Sequence, residues 1–167
     1  MEKGRKGLYV PSLFSVRKSF YKAMGPAVEL GRSFIRPEYQ RKFALLGLLW
    51  RGIGEFMNRR PGCCVLYGPV SISADYAPLS RNLMVRFLRR KEWSPEMAKR
   101  ARAKHPFKGS KLPISLKRWV QDEGRSIEEV SAIISSVEPD GKGVPVLVKH
   151  YLKLNGSFVS FGVDPDF

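Results

Sequence analysis

The sequence is poor in cysteine, and it contains no long apolar run. The only two cysteines, Cys63 and Cys64, are neighbours, so they complete neither a C-x-x-C pair nor a disulfide framework, and we interpret them as strand residues in a reducing compartment. No stretch approaches the roughly 18 apolar residues of a membrane span, and the start MEKGRKGLYVPSLF lacks a signal peptide's apolar region. We therefore expect a cytoplasmic protein.

Several motifs of enzyme sites are also missing. The chain has no G-x-x-x-x-G-K-[ST] and no G-x-G-x-x-G, so an ordinary ATP or dinucleotide site has no support. It has no G-x-S-x-G, and its two histidines, His105 and His150, lack partners at metal-ligand spacing. We expect neither a metal site nor a mechanism based on histidine.

Acidic residues are scarce relative to basic ones. The 167 residues include 30 Lys or Arg but only 15 Asp or Glu, which gives a net charge of +15. The segment from Arg81 to Arg125 alone carries a net charge of +10. This excess predicts attraction to anions such as nucleic acid, acidic proteins, phosphorylated cofactors or an anionic membrane surface.

The apolar patterns predict a single α/β domain over residues 1–167. Residues 7–14 are β-rich, and Pro11 makes them an edge strand or a bulged strand. Residues 27–35 are the best internal strand, residues 43–57 have the spacing of a helix, and residues 62–72 are a second buried strand. Strand, basic turn, helix and strand make a βαβ unit, which favours a parallel or mixed sheet.

The second half of the chain is predicted to be mainly helical. A helix follows Asp75, and Ser126 with Glu129 forms a capping box at the start of a helix that ends at Pro139. A short helix lies between Pro145 and Gly156, and residues 157–164 alternate as a strand. The chain begins directly in a strand and stops after another, so we expect an incomplete sheet and a piece of a larger domain.

The strand over residues 27–35 carries two charges, Glu29 and Arg32, inside an apolar run. Burying either charge unpaired costs several kcal/mol, so a strand that keeps both is suspected of using them. A regular strand would point them to opposite faces, and a bulge at Gly31 would bring them to the same side. The alternative is a structural ion pair on a partly exposed strand.

Two polar loops follow the predicted strands. Gln40, Arg41 and Lys42 lie at the start of a helix, where free amides and the helix dipole favour phosphate, unless this start simply faces solvent. The stretch SISADYAPLSRN supplies the candidate substrate-binding residues Ser71, Ser73, Asp75, Tyr76, Ser80 and Arg81. Both loops are expected at the carboxyl ends of the strands, where open α/β sheets bind ligands. Helix capping by Asp75 and Ser80 is the alternative for the second loop.

Three stretches carry a family resemblance. They are AVELGRSFIRPEYQRKFALLGLLWRGIGEFM, LYGPVSISADYAPLSRNLMVRFL and PVLVKHYLKLNGSFVSFGVDPDF. Together they resemble the hemolysin-like acyltransferases of the GNAT superfamily, the group that includes bacterial ornithine-lipid acyltransferases and, more distantly, the acyl-homoserine-lactone synthases. The resemblance runs from about Tyr9 to the end of the chain and is least familiar in residues 91–143.

The resemblance implies a GNAT-like mixed sheet flanked by helices, incomplete at both ends, with a basic helical insertion over residues 92–143. Glu29 would be the base or an orienting carboxylate, and Arg32 its partner or a substrate clamp. The donor's phosphopantetheine arm and thioester would be held by Ser33, Phe34, Ile35, Gln40, Arg41, Lys42, Phe43, Ala44, Leu45 and Leu46. The corner RKFALL lacks the glycine usual in the superfamily, which fits donors on acyl carrier protein better than coenzyme A.

The sequence therefore predicts an acyltransferase with no tightly bound cofactor. Its co-substrate would be the phosphopantetheine of acyl carrier protein or acyl-coenzyme A, and its acceptor an amine or hydroxyl of a lipid or an amino-acid derivative. The basic segment would meet acidic acyl carrier protein or the anionic inner face of a membrane. Two alternatives are a basic nucleic-acid-binding module, which lacks the aromatic interleaving of a single-strand platform, and an inactive remnant of the acyltransferase.

Overall fold

A computed structural model describes residues 7–31, 36–39, 43–63 and 65–165. These residues divide into two compact units. The first comes from Met1–Ser12 and Arg17–Pro69, and the second from Leu13–Val16 and Val70–Phe167. Both combine short strands with helices, so the described part of the chain is a mixed α/β structure with small sheets flanked by helices, consistent with a partial GNAT-like fold.

The first unit contains a parallel strand pair connected through a helix. Its elements are the start of α1 (Val10–Leu13), α2 (Lys18–Met24), β2 (Ala27–Glu29), a 3-10 turn at Pro37–Tyr39, α3 (Phe43–Asn58) and β3 (Val65–Tyr67). Strand β2 pairs with β3 in parallel, with Ala27 opposite Val65 and Glu29 opposite Tyr67. This confirms the predicted βαβ unit, and α3 ends within one residue of its predicted end.

The second unit is built around a helical core. Its elements are β1 (Phe14–Val16), α4 (Pro78–Lys91), α5 (Pro95–Ala98), β4 (Ala101–Ala103), α6 (Ile114–Gln121), α7 (Ile127–Val137) and α8 (Val146–Lys153). Strand β1 pairs antiparallel with β4. Helices α4, α6, α7 and α8 bury a common set of apolar side chains: Leu83, Met84, Phe87, Leu88, Val120, Val130, Ile134 and Val148.

The helix predictions hold because side-chain periodicity and capping agree. On α4 the predicted face is buried, with Leu83 and Phe87 almost fully covered. At the start of α7 the capping box is complete: the Ser126 hydroxyl accepts from the Glu129 amide, and the Glu129 carboxylate accepts from the Ser126 amide. Residues 92–143 contain the helices α5, α6 and α7, which cover fewer than half of them, and β4, a strand that the sequence pattern did not indicate.

The strand predictions were too long. Residues 10–13 form α1 and the strand begins only at Phe14, because the fixed φ of Pro11 suits the first turn of a helix. Strand β2 ends at Glu29, so Gly31 lies beyond the strand and makes no bulge inside it; residues 32–35 lie outside the described residues.

Two later strand predictions were also too long. Strand β3 covers Val65–Tyr67, and its three residues are half-buried. It ends there because Gly68 and Pro69 follow, and proline has no amide to donate to a ladder. Residues 157–164 make only isolated bridges, between Trp93 and Phe158 and between Pro106 and Gly162.

Candidate functional site

Glu29 is the last residue of β2, and its carboxylate is held by the backbone at the start of α1. Oε1 accepts hydrogen bonds from the Tyr9 amide at 2.8 Å and from the Val10 amide at 2.7 Å. These amides have no partner inside a helix, because the first N–H groups of any helix are left over. Glu29 therefore satisfies the start of α1 from a position 19 to 20 residues away in the sequence.

The second carboxylate oxygen of Glu29 faces a tyrosine. Tyr67 lies opposite Glu29 in the β2–β3 register, and its hydroxyl donates to Oε2 at 3.4 Å. Burial raises the pKa of Tyr67 well above its usual range, and the negative charge of Glu29 raises it further. The phenol consequently keeps its proton at neutral pH and remains a hydrogen-bond donor to the carboxylate.

Aromatic rings surround the phenol of Tyr67. The Phe20 ring packs edge-on against it at 6.2 Å between centroids, and the Tyr21 ring does so at 6.4 Å. Phe20 is almost fully buried. One side of the Tyr67 ring is therefore apolar, which accounts for the burial that raises its pKa.

A close backbone approach continues the pairing just beyond Glu29. The Leu30 amide donates to the Tyr67 carbonyl oxygen at 2.7 Å. A Cβ atom placed on Gly68 would overlap the carbonyl oxygen of Leu30, so this position accepts only glycine without a shift of the chain. Gly68 thus lets the two strands stay together where Glu29 and Tyr67 meet.

Most of the predicted donor-binding residues lie outside the described part of the chain. These are Ser33, Phe34, Ile35, Gln40, Arg41 and Lys42; Arg32, the predicted partner of Glu29, lies outside it too. Phe43 and Ala44 begin α3, and Leu45 and Leu46 continue its first turn with half-buried side chains. The predicted role of this helix start in binding phosphopantetheine stays a prediction, as does the Glu29–Arg32 partnership.

The predicted substrate-binding residues belong to the second unit, whereas Glu29 belongs to the first. Ser73 and Asp75 are brought together: the Ser73 hydroxyl donates to Oδ2 of Asp75 at 2.9 Å and accepts from the Asp75 amide at 3.2 Å. Ser71 is exposed before them. Ser73 and Asp75 thus form a local turn, with the Asp75 side chain exposed.

Tyr76 and Ser80, by contrast, are part of the core of the second unit. The Tyr76 hydroxyl donates to the Gly143 carbonyl oxygen at 2.7 Å, and burial raises the pKa of this phenol. Ser80 is 1% exposed. Arg81 is half-buried. Neither Tyr76 nor Ser80 is presented to a ligand at the surface.

The predicted capping of α4 by Asp75 or Ser80 was wrong. The helix has no side-chain cap from its own N-cap residue, Ala77, within the described chain. Instead the Ala77 amide donates to Oε1 of Glu138 at 2.9 Å, across 61 residues of sequence. Glu138 follows α7 and is 5% exposed. Sequence patterns indicate only caps between residues that are close in the chain, so this contact was missed.

Sequence reasoning also missed Tyr67 and the Tyr9 and Val10 amides. The only available signal was that one predicted strand carries a Glu and the next carries a Tyr. Neither stretch indicates the register that makes the two residues neighbours.

Among the described residues, no group of three or more His, Cys, Asp or Glu could hold a metal ion. No helix in the same residues is long and apolar enough to cross a bilayer.

Comparisons with known proteins point in one direction. A family model described as an acetyltransferase (GNAT) domain matches residues 1–51, the part of the chain that includes Glu29. The chain is 25% identical, over 172 aligned residues, to a glycine N(alpha)-acyltransferase of Phocaeicola vulgatus; the alignment covers 96% of this chain and 51% of that protein. The chain thus spans about half the length of this relative. No solved structure matches the chain. The two similarities support a relationship to the GNAT superfamily.

Proposed function

We propose that this chain is the acyl-transferring part of an enzyme that moves an acyl group from a thioester donor to an amine or hydroxyl. The observation that carries the proposal is the half-buried Glu29 carboxylate, with Oε1 fixed by two backbone amides and Oε2 facing a phenol. A fixed carboxylate is what base-assisted acyl transfer requires. The match of residues 1–51 to a GNAT domain and the similarity to a glycine N(alpha)-acyltransferase support the same chemistry.

Glu29 acts as the base in this proposal, through Oε2. Oε2 takes the proton of the acceptor's N–H or O–H while the freed lone pair attacks the thioester carbonyl carbon. The carbon–sulfur bond then breaks, and the departing thiolate takes up the proton that Glu29 released. Tyr67 keeps its own proton and orients Oε2, because its raised pKa makes it a donor throughout. Arg32 would clamp the substrate or balance the charge of Glu29.

The donor would lie along Ser33, Phe34 and Ile35, with its pantetheine phosphate at the start of α3. Amides and cations at a helix start favour phosphate, and residues 40–46 are the proposed phosphate-binding segment. Acyl carrier protein is the donor favoured by the net charge of +15, because such carriers are acidic. Acyl-coenzyme A is the alternative donor. Neither would be a tightly bound cofactor.

The acceptor is proposed to be an amino acid, an amino-acid derivative or a lipid. The glycine acceptor named for the relative and the resemblance to ornithine-lipid enzymes both favour an amine. Ser71, Ser73 and Asp75 are proposed to contact the acceptor, and Tyr76, Ser80 and Arg81 would act only by supporting them. A lipid acceptor would bring the protein from the cytoplasm to the inner face of the membrane.

Release of free thiol from a long-chain acyl carrier protein and from acyl-coenzyme A tests the proposal. Each donor is incubated with the protein alone, with glycine or with ornithine. We expect release that depends on acceptor and is faster with acyl carrier protein, with the acylated amine identified by mass spectrometry. If neither donor gives acceptor-dependent release, and neither binds the chain, the proposed reaction is wrong.

A matched pair of double variants tests the donor site. Arg41→Ala with Lys42→Ala is expected to weaken binding of acyl carrier protein at least about tenfold, since the loss of even one charged contact to phosphate is worth about 1.5 kcal/mol. Arg17→Ala with Lys18→Ala removes the same charges from exposed positions at the start of α2. Equal losses in the two variants would mean that net charge alone attracts the carrier, contrary to the proposal.

A further inference from the structure

The second unit contains a groove between α4 and α6 with strongly basic walls. Its volume is about 540 Å³, within the range of pockets that hold small organic ligands. The described residues that line it include four cations and no acid: Asn82, Val85, Arg86, Arg89, Arg90, Phe107, Gly109, Lys117, Val120 and Gln121. The cations come from two different helices and converge on one space.

The arrangement of these cations costs stability unless an anion offsets it. Arg86, Arg89 and Arg90 are three and four residues apart on α4, so they share one face, and like charges at this spacing repel. Among the described residues, only Arg90 of the four groove cations has an acidic partner, Glu123, at 3.4 Å, and that carboxylate is 89% exposed. The helix dipole explains cations in the last turn of α4, but it explains neither Arg86 nor Lys117.

One of these cations is held in place by aromatic rings. The Arg89 guanidinium lies 5.7 Å from the centroid of Trp93 and 5.4 Å from that of Phe161, and the two rings stack on each other at 5.9 Å. A guanidinium laid on aromatic faces loses less freedom when it binds a ligand. The aromatic contacts therefore orient the Arg89 guanidinium for an anion and do not neutralise its positive charge.

The floor of the groove is buried and partly apolar. Val85 is 7% exposed, Val120 is 4% exposed, and Phe107 contributes an aromatic edge. Asn82, 2% exposed, donates from its side chain to the Ser110 carbonyl oxygen and so ties the loop that carries Phe107 and Gly109 to α4. A groove with a basic rim and such a floor suits an anion attached to an organic group.

We infer that the α4/α6 groove binds the phosphate group of an organic phosphate ester, either a phospholipid headgroup or a soluble phosphate ester. Several converging guanidinium groups are the arrangement that proteins use for phosphate, since each offers paired donors to its oxygens. This site is separate from the proposed reaction at Glu29, and its residues lie entirely within the second unit. Its test needs no acyl donor, so it can fail independently of the proposed activity.

Binding is measured with two probes, inorganic pyrophosphate by calorimetry and phosphatidylglycerol vesicles by sedimentation, with vesicles of zwitterionic phosphatidylcholine as the reference without net charge. The groove variant is Arg86→Ala with Lys117→Ala. The matched control is Arg102→Ala with Lys104→Ala, which removes one exposed arginine and one exposed lysine outside the groove. Thermal melting checks that both variants fold as the parent protein does.

We expect the groove variant to bind its probe about tenfold more weakly and the control to change less than about twofold. Loss on vesicles alone assigns the phosphate to a lipid headgroup, and loss with pyrophosphate in solution assigns it to a soluble ester; either result supports the site. Equal weakening of both variants overturns it, because only net charge would then matter. The absence of binding to both probes would overturn it as well.

Discussion

Each unit of this protein holds a carboxylate that accepts hydrogen bonds from backbone amides at the start of a helix, but the two carboxylates have different surroundings. Glu138 in the second unit is 5% exposed and accepts from the Ala77 amide ahead of α4. Glu29 in the first unit is half-buried; one oxygen accepts from two amides at the start of α1, and the other faces the Tyr67 hydroxyl.

The difference shows that a carboxylate that caps a helix with one oxygen can keep its other oxygen for a chemical role. Capping occupies one oxygen of Glu29 and fixes the orientation of the carboxylate, as it does for Glu138. In the proposed function, the remaining oxygen of Glu29, beside a phenol in a half-buried residue, exchanges a proton with the substrate. Burial closes that option for Glu138. Experiments that separate the two residues therefore test the proposed function directly.

The largest expected effect is on activity and comes from replacing each carboxylate by an amide. Glu29→Gln keeps an oxygen for the Tyr9 and Val10 amides but cannot act as a base. We expect it to lower kcat/KM for acyl transfer at least about 100-fold, the usual contribution of a general base. Glu138→Gln keeps an acceptor for Ala77, and we expect less than about a twofold change in kcat/KM.

The dependence of the rate on pH distinguishes a lost base from a distorted site. A variant without its base should lose the rise of kcat/KM with pH that the parent protein shows, whereas a distorted site keeps the profile at a lower rate. If Glu29→Gln retains full activity with an unchanged profile, Glu29 is a cap of the same kind as Glu138 and the proposed role is wrong.

The contact that keeps Glu29 beside Tyr67 can be broken at Gly68. Gly68→Ala should lower the free energy of unfolding by about 2 to 3 kcal/mol, because the new methyl group would overlap the Leu30 carbonyl oxygen and force the strands apart. Gly54→Ala is the control: its Cβ meets nothing within 4 Å on helix α3, and alanine there should stabilise by about 0.5 to 1 kcal/mol. Urea denaturation measures both, and equal effects would contradict the close approach.

Replacing each carboxylate by alanine should cost more stability at Glu138 than at Glu29, which is the reverse of the order expected for activity. We expect Glu138→Ala to cost about 1 to 2 kcal/mol, since it leaves the Ala77 amide without its acceptor in a buried place. Glu29→Ala should cost about 1 kcal/mol or less, because Glu29 and Tyr9 are only half-buried and water can replace the carboxylate at the Tyr9 amide. Urea denaturation of both variants decides this; a larger loss for Glu29→Ala would mean that its structural role dominates.

The smallest expected effect is that of Tyr67 on the pH dependence of stability. Its pKa is raised in the folded protein, so the unfolded chain gives up this proton first as pH rises through the usual value of about 10. Tyr67 therefore contributes nothing to the pH dependence below that range and destabilises the fold above it. Stability measured at pH 8 and at pH 11 should fall less in Tyr67→Phe than in the parent. An identical fall would show that other groups account for it.

The sequence predicted helices well and strands poorly, for a physical reason. A helix such as α7 satisfies its own backbone and signals its start with Ser126 and Glu129, so the residues that define it are neighbours in the chain. A strand needs a partner, and an apolar run such as residues 62–72 reveals burial but not where pairing stops. Pairing stopped at Tyr67, just before Gly68 and Pro69.

The sequence singled out Glu29 but not the residues that contact it. Glu29 stood out because a carboxylate in an apolar strand needs a reason, and the structure supplies three donors for it. The residues that supply them are 19 to 38 positions away, and no local pattern links them to Glu29. Of the predicted substrate-binding residues, Ser73 and Asp75 do meet, whereas Tyr76 and Ser80 belong to the core. Polarity alone could not separate a loop that faces solvent from one that closes a helix bundle.

The path of the chain at β1 constrains how the protein can be divided. Leu13–Val16 belong to the second unit, although the chain on either side of them belongs to the first. A cut after Pro69 would therefore remove from the second unit the strand that pairs with β4. During synthesis, β1 leaves the ribosome long before Ala101–Ala103 is made, so the second unit cannot complete its ladder until most of the chain has emerged. Fragments expressed separately should include residues 13–16 with the C-terminal half.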